Sequence, residues 1–589
     1  MKRTLYKIFS AAAAVLLTGV TTSCSDYLDV KPLNDVVLEN YWTEKKDVIS
    51  VMNSCYESLE NRESILRMGI WGELRSENIV LGTSVSNEIS DALKETLLPS
   101  SSLTSWAIFY QTINRCNTVI HYAPGVQEID PNYTYNELQA TIAEATFIRD
   151  LCYFYLLKTF GEVPLVFEPS LSDDMEFEIE PTSAFKFQNG AWVMGPALDI
   201  LINDLHGVEN MAVRRYIDDS EMTNSQAVSK ADENSGRVTR CAIYALLAEI
   251  NLWKGDYDEA IRYCDLIIDY KTKQYEDKKN KLGEINDMTL FNDIPLIREC
   301  VEGGTTCGNA YNEIFGTGNS FESIFELTFY TNQSTSNVTV GTYYGTSSTP
   351  LGRFATTDEN SKDVELGNND VWEKKKDDCR VYAIMKKENG KNSITKYVAD
   401  AVSMSNRLST ISDESGVKLP MSRRNGYSIS DGTTGVYANW IIYRLTDIML
   451  MKAEALVMKG ESNYEEAFKL VDAVNCRARN ITTGTSLNYG DYGTSQAKMM
   501  EDLILKERKR EFMFEGKRWY DLVRYSIHTG SNTFLAEQVT TKYQINGNAI
   551  KIRLSDPNAL FWPFNKDELK LNRYLKQNPA YGDTEDFVK

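Results

Sequence analysis

Residues 240–270 read RCAIYALLAEINLWKGDYDEAIRYCDLIIDY and contain two helical patterns separated by a Gly-Asp pair. In the first pattern, the small residues Ala242, Ala245 and Ala248 recur at helical spacing, which lets a neighbouring helix approach closely. The second pattern, at residues 257–269, is amphipathic. The stretch therefore predicts two antiparallel helices whose apolar faces must be buried against further helices.

The same plan recurs at residues 444–474, which read RLTDIMLMKAEALVMKGESNYEEAFKLVDAV. Both stretches contain an Ala-Glu pair, then Lys-Gly, and then Tyr and Ala at matching positions after a short insertion. Residues 140–160, preceded by residues 106–121, form a further helical pair of this type. This is the tetratricopeptide plan, and such pairs bury their faces only by stacking. We therefore predict an all-α dominated fold class, with a tetratricopeptide-like α-helical solenoid core that carries irregular loops and short strands.

The two repeats are separated by a long segment of different character. Residues 271–440 are rich in Gly, Asn, Ser and Thr and contain short β-prone runs, which is typical of a loop-rich excursion rather than an autonomous domain. We expect an N-terminal region at 24–240 and a C-terminal region at 241–589, packed as one body. The C-terminal region holds the repeats at 241–270 and 444–480.

The composition is that of an acidic globular protein. Of the 589 residues, 42% are hydrophobic and 25% are charged, and the net charge is −20. An acidic chain is a poor partner for nucleic acids and anionic membrane surfaces. The three histidines, His121, His206 and His528, are spread widely along the sequence. We therefore expect no metal, no cofactor and no nucleic-acid partner.

The N-terminal segment has the pattern of a signal peptide. Residues 1–23 begin with basic residues, and an apolar run at 8–20 follows that is too short to span a bilayer. Cys24 comes next and resembles the cysteine of a bacterial lipobox, although Thr21 stands where such boxes usually carry Leu. We predict a lipoprotein signal peptide at 1–23 and an acylated Cys24. The alternative is a plain signal peptide in which Cys24 has no special role.

The chain has ten cysteines, so an odd number remains besides Cys24. They show no CxxC spacing, which argues against both a disulfide framework and a zinc site. Cys300 and Cys307 flank a Gly-Gly turn and are the pair that could close a small loop.

No catalytic motif is apparent: the sequence lacks HExxH, GxSxG, a Walker A loop and an EF-hand loop. The most charged segment is 504–525, ILKERKREFMFEGKRWYDLVRY, in which Glu507, Glu511 and Glu515 are candidate carboxylates. Cations lie beside all three, whereas an acid/base pair needs pKa values driven apart. We therefore predict a structural joint here and no enzyme activity. An all-α glycoside hydrolase, with a carboxylate pair elsewhere, is the remaining enzymatic alternative.

Several segments together resemble the SusD/RagB family of Gram-negative outer-membrane nutrient-binding lipoproteins. In order, they are 24–32 (CSDYLDVKP), 71–78 (WGELRSEN), 143–164 (from Ala-Glu-Ala to Gly-Glu-Val-Pro), 507–524 (from Glu-Arg to Leu-Val-Arg) and 562–581 (from Trp-Pro to Asn-Pro-Ala-Tyr). The matches extend over essentially the whole mature chain. One departure is Ala580, where the family commonly has Gly.

The resemblance implies a helical core of the kind predicted above. It also implies a cell-surface outer-membrane lipoprotein that caps a SusC-type TonB-dependent transporter and delivers a ligand, usually a glycan, to it. A scaffold whose repeats bind only protein is a further alternative. The matching motifs belong to the scaffold, so they do not identify the ligand.

Aromatic residues in loops are the candidate ligand contacts, because an aromatic ring can stack on the C–H face of a sugar. The strongest candidates are Tyr343, Tyr344 and Trp372. Asn87 is a candidate polar contact, because ligand contacts in the resembled family often come from the loop after the Trp71 segment. The other loop aromatics are Tyr330, Tyr427 and Tyr437.

The lipid anchor can be tested by substitution. We expect Cys24→Ala to move the protein from the membrane fraction to a soluble or unprocessed fraction, because the acyl chains on that thiol provide the anchor. Cell fractionation followed by immunoblotting measures this shift. An unchanged membrane fraction in the variant would contradict the prediction.

Overall fold

The computed structural model describes residues 41–170, 179–215, 235–304, 306–329, 336–345, 351–361, 371–372, 378–388, 390–397, 410–412, 418–420, 438–492, 497–543 and 545–583. The helices are α1 (Lys45–Glu60), α2 (Arg62–Gly69), α3 (Asn87–Leu93), α4 (Ala107–Ile129), α5 (Tyr135–Phe160), α6 (Ala197–Val208), α7 (Arg240–Lys254), α8 (Tyr257–Leu282), α9 (Asn309–Tyr311), α10 (Val338–Tyr343), α11 (Asp358–Ser361), α12 (Cys379–Ile384), α13 (Leu445–Met458), α14 (Tyr464–Ala478), α15 (Ala497–Phe512), α16 (Arg518–Thr529), α17 (Thr533–Thr540), α18 (Gly547–Leu554) and α19 (Lys566–Leu571). The strands are β1 (Val80–Leu81), β2 (Glu162–Pro164), β3 (Pro181–Ser183), β4 (Phe185–Gln188), β5 (Ala191–Met194), β6 (Met288–Phe291), β7 (Ile294–Ile297), β8 (Ser323–Leu327), β9 (Phe354–Thr356), β10 (Met385–Glu388), β11 (Lys391–Ile394), β12 (Thr410–Ser412), β13 (Lys418–Pro420) and β14 (Trp440–Arg444).

The long helices pack one after another along the molecule. Helix α1 packs on α4, and contacts then continue through α5, α6, α7, α8, α13, α14 and α15. The two repeats predicted from the sequence are α7–α8 and α13–α14, and α8 packs directly on α13. The prediction of a helix-dominated, tetratricopeptide-like core is therefore confirmed.

The turn of the first repeat follows from its sequence. Gly255 has φ +86°, a left-handed conformation that ends α7, and its N–H donates to the carbonyls of Asn251 and Leu252. The Asp256 side chain then accepts a hydrogen bond from the backbone N–H of Glu259 and caps α8. The Gly-Asp pair thus stops one helix and starts the next.

The excursion between the repeats joins the helical body through short strands. β8 and β14 pair antiparallel, which brings the polypeptide back directly to α13. β1 pairs with β9, and β9, β11 and β10 continue the same antiparallel sheet. Residues of the excursion such as Phe354 and Ile394 lie in the same hydrophobic core as the helices. The excursion is thus built onto the solenoid, and its described strands are short.

Cys300 and Cys307 form a disulfide, with their Cα atoms 4.2 Å apart. The loop closure that the sequence suggested for this pair is therefore confirmed. Cys379 lies beside the bridge and is a buried free thiol. Within the described ranges, no helix is both long enough and apolar enough to cross a membrane.

A close backbone approach occurs at a short π-helical turn, Ile70–Leu74, which packs against α16. A Cβ atom on Gly72 would lie 1.7 Å from the carbonyl oxygen of Gly516 and 2.9 Å from the ring of Tyr520. Only glycine fits at this position without moving the backbone.

We expect Gly72→Ala to lower the free energy of unfolding by about 2–3 kcal/mol, because the added methyl group overpacks this contact. The matched control is Gly125→Ala in α4, where nothing lies within 4 Å of the new Cβ. The control should be neutral or more stable by up to about 1 kcal/mol. Urea denaturation measures both variants, and equal stabilities would contradict the packing described here.

Candidate functional site

Most of the charged segment 504–525 is buried, and its carboxylates are paired with cations. Glu511 accepts hydrogen bonds from Arg444 at 2.5 Å and from Arg380 at 3.0 Å, and it also pairs with Arg477. Glu515 pairs with Arg444 at 2.8 Å. These contacts connect α15 and the turn after it with α12, β14 and α14.

The remaining pairs extend the same cluster. Lys396, just after β11, lies 2.5 Å from Glu515. Glu507 pairs with Arg380 at 2.7 Å and with Arg510 at 3.1 Å. We call the following set the buried ion network: Arg380, Lys396, Arg444, Arg477, Glu507, Arg510, Glu511 and Glu515.

Protonation in this network does not suit acid/base catalysis. Burial by itself would raise the pKa of Glu511, but Arg477, Arg444 and Arg380 outweigh it and hold that pKa well below 4.5. Glu507 and Glu515 likewise have a lowered pKa, because nearby cations again outweigh burial. All three carboxylates therefore stay ionised, whereas general acid catalysis needs one held protonated. The prediction that this segment is a structural joint is confirmed by these pairs.

The cavity beside the network is too small for a substrate. Its volume is about 30 Å³, and Glu299, Tyr311 and Phe315 are among the residues that line it. Such a volume holds about one water molecule. Burial raises the pKa of Glu299 to about 8. Among the residues that the structure describes, no group of His, Cys, Asp and Glu is placed to hold a metal ion.

The structure buries the three rings that the sequence favoured as ligand contacts. Tyr343 is 6% exposed, Tyr344 4% and Trp372 0%. The Tyr344 ring stacks on Tyr397, with ring centroids 5.9 Å apart.

The polar atoms of two of these rings form hydrogen bonds within the protein. The Tyr344 hydroxyl donates to the carbonyl of Phe514 at 2.9 Å, and the Trp372 indole N–H donates to the carbonyl of Asn360 at 2.7 Å. Tyr344 and Trp372 lie outside the helices and strands, as expected, whereas Tyr343 is the last residue of α10, so its expected loop position is wrong. A sugar could stack on these rings only if the side chains packed around them moved away. Ligand contact by these rings stays a prediction, and their burial does not support it.

Asn87 is exposed, as a ligand contact requires. It is the first residue of α3, and the loop before it is fastened to the excursion. The N–H of Gly82 donates to the carbonyl of Arg353 at 2.8 Å, and the N–H of Thr83 donates to the carbonyl of Gly352 at 3.0 Å. The Asn87 loop and the excursion thus form one surface, and ligand contact by Asn87 stays a prediction.

The other candidates are not described by the structure. Cys24 and three loop tyrosines, Tyr330, Tyr427 and Tyr437, lie outside the described residues. Their predicted roles stay predictions.

A pocket that was not predicted from the sequence lies between the hairpin β4–β5 and the C-terminal segment 558–579. The volume of this pocket is about 230 Å³. A local signal was present, because residues 185–194 read FKFQNGAWVM, and Asn-Gly between aromatic strands is typical of a tight hairpin. Asn189 and Gly190 both have positive φ, as such a turn requires.

Two family models match the chain. Residues 26–252 match a family described as starch-binding and associating with the outer membrane, and residues 301–581 match one described as the SusD family.

Curated relatives and solved structures extend along nearly the whole chain. A SusD-like protein of Formosa agariphila is 24% identical and covers 98% of this chain and 99% of its own length. The starch-binding protein SusD of Bacteroides thetaiotaomicron is 23% identical, with 98% of each chain covered. A crystal structure of a SusD superfamily protein from Bacteroides vulgatus aligns with a TM-score of 0.61 at 18% identity, covering 92% of this chain and all of the other. A laminarin-binding SusD-like protein aligns with a TM-score of 0.56 at 19% identity, again covering 92% of this chain and all of the other. These structural matches support the same fold.

The structural role of the buried ion network can be measured. We expect Glu511→Gln to lower the free energy of unfolding by about 3–5 kcal/mol at pH 7, because it leaves three buried guanidinium groups without their shared anion. The matched control is Glu465→Gln, which removes an exposed pair with Lys469 and should change stability by less than about 1 kcal/mol.

The pH dependence should follow from the lowered pKa of Glu511. Its stabilising contribution is complete above pH 4.5, the ordinary value for Glu, and is lost as the pH falls towards the pKa of the folded state. The difference in the free energy of unfolding between wild type and Glu511→Gln should therefore become smaller as the pH falls. Equal stabilities at pH 7 would contradict the role of this network.

Proposed function

Because the chain belongs to the SusD/RagB family, we propose that it captures an oligo- or polysaccharide at the cell surface and delivers it to a SusC-type TonB-dependent transporter. The observation that carries this proposal is the pair of family matches, which together span most of the chain from residue 26 to residue 581. One of these families is described as starch-binding and associated with the outer membrane.

A glycan is the ligand class that the relatives favour. One relative is named as starch-binding and one solved neighbour as laminarin-binding. The ligands of both are polymers of sugar rings with an apolar C–H face and hydroxyl groups at the edge. The net charge of −20 further favours a neutral glycan over a polyanionic one.

We propose binding without cleavage, because the carboxylates of the charged segment are not arranged for acid/base catalysis. Its carboxylates have cation partners that keep them ionised, and the cavity beside them has room for about one water molecule. The exposed Asn87 surface, by contrast, is open to a large ligand. We propose that binding takes place on surfaces of this kind, which the rigid helical body holds in place.

Attachment to the membrane and to the transporter would use other parts of the chain. A lipid on Cys24 would hold the protein at the outer membrane. The stacked helices α4 to α14 offer an extended face of the kind that repeat proteins use for protein partners. We propose that the transporter contacts this repeat-bearing side more than the excursion.

A polysaccharide panel tests the proposed function. Purified protein is assayed by affinity electrophoresis against laminarin, soluble starch, xylan and galactan, and reducing ends are measured in the same mixtures. We expect retardation by at least one glycan without new reducing ends. Release of reducing ends would indicate a hydrolase instead, and binding to none of the panel would contradict glycan capture.

A further inference from the structure

The pocket behind the β4–β5 hairpin has the construction of a small carbohydrate site. One wall is the hairpin itself, and the other is the segment 558–579 from the far end of the chain. The hairpin pairs Phe187 with Trp192 across its strands. Because side chains alternate along a strand, both rings lie on the hairpin face that turns towards the body.

Trp192 is the ring that connects the two walls. Its centroid lies 5.3 Å from that of Phe187 and 5.7 Å from that of Phe561, with interplanar angles of 67° and 77°. Both contacts are edge-to-face, so neither neighbour is stacked in parallel on the indole. Phe187 and Trp192 are partly exposed, whereas Phe561 is buried and forms the floor.

Polar side chains surround this aromatic floor. At one edge, Glu162 forms an ion pair at 2.7 Å with Lys186, whose side chain starts on the outer face of the hairpin, opposite Val193; 21% and 43% of the two side chains are exposed. Lys576 is exposed at the rim, and Asn558 is partly exposed. An apolar floor with polar groups around its edge matches the two faces of a sugar ring, which offers C–H bonds on one side and hydroxyls at its periphery.

We infer that this hairpin pocket binds one sugar residue of the captured glycan, with Trp192 as the stacking ring. The inference rests on the proposed function and adds a site to it. The volume of about 230 Å³ lies below the roughly 300–1,000 Å³ typical of pockets for drug-sized ligands, which suits a single residue or chain end better than a long segment. The pocket is formed by different segments from the Asn87 surface.

Trp192 also has a structural role, because an isolated two-stranded hairpin is only marginally stable and this ring packs it on Phe561. The experiment therefore needs variants that separate packing from ligand stacking. Trp192→Phe keeps an aromatic ring in place, whereas Trp192→Ala removes it. Val193→Ala is the matched control, since Val193 is the next residue on the same strand, points to the opposite face and is 48% exposed.

The affinities of wild type and variants are measured by isothermal titration calorimetry with maltohexaose and laminarihexaose, and with fragments of any other panel polysaccharide that binds. We expect Trp192→Ala to weaken binding by about tenfold, Trp192→Phe to weaken it less, and Val193→Ala to stay within about twofold of wild type. Wild-type affinity in Trp192→Ala would overturn this site and leave the proposed function standing. A wild type that binds none of the glycans would contradict both.

A second measurement keeps the inference testable if Trp192→Ala folds poorly. Hydrogen exchange of the wild-type protein is compared with and without the glycan that binds it. We expect slower exchange in residues 185–194 and 558–579 when the glycan is present. Protection elsewhere, with none in these two segments, would overturn the site.

Discussion

Glu511 accepts hydrogen bonds from Arg380, Arg444 and Arg477, which belong to the excursion, to the strand before α13 and to α14. Removing one partner from a buried ion pair leaves an uncompensated charge, which costs several kcal/mol. The folded state is therefore most stable when all three arginines contact this carboxylate. This requirement holds the loop-rich excursion in one position on the helical repeats, although long stretches of chain separate the residues involved.

The buried ion network lies in the interior of the molecule and leaves only its surfaces for ligand contacts. The carboxylates of the buried ion network pair with cations that join the helices to the excursion, and the cavity beside them is small. The proposed ligand contacts lie at the periphery, where the Asn87 loop is hydrogen-bonded to the excursion and the β4–β5 hairpin packs on Phe561. A helical body with exposed surfaces at its edge fits the proposed capture of a glycan.

The sequence predicted the parts of the fold that depend on local pattern. The repeats were visible because helical periodicity and the Lys-Gly turns lie within short windows, and their stacking followed from apolar faces that needed a partner. The burial of Tyr344 and Trp372 was not visible. It depends on Tyr397, Phe514 and Asn360, which the composition of the surrounding loops does not reveal. The hairpin pocket was not predicted: the Asn-Gly turn is a local signal for the hairpin, but the second wall of the pocket comes from the distant C-terminal segment.

We propose that this chain delivers an intact glycan to a transporter. The most direct measurement is to purify the tagged chain in mild detergent from cells growing on the glycan that it binds, and to identify both the associated proteins and the length of the bound glycan. We expect a large outer-membrane barrel to copurify and the bound glycan to be uncleaved. Recovery of the chain alone, from cells in which the transporter is present, would contradict it.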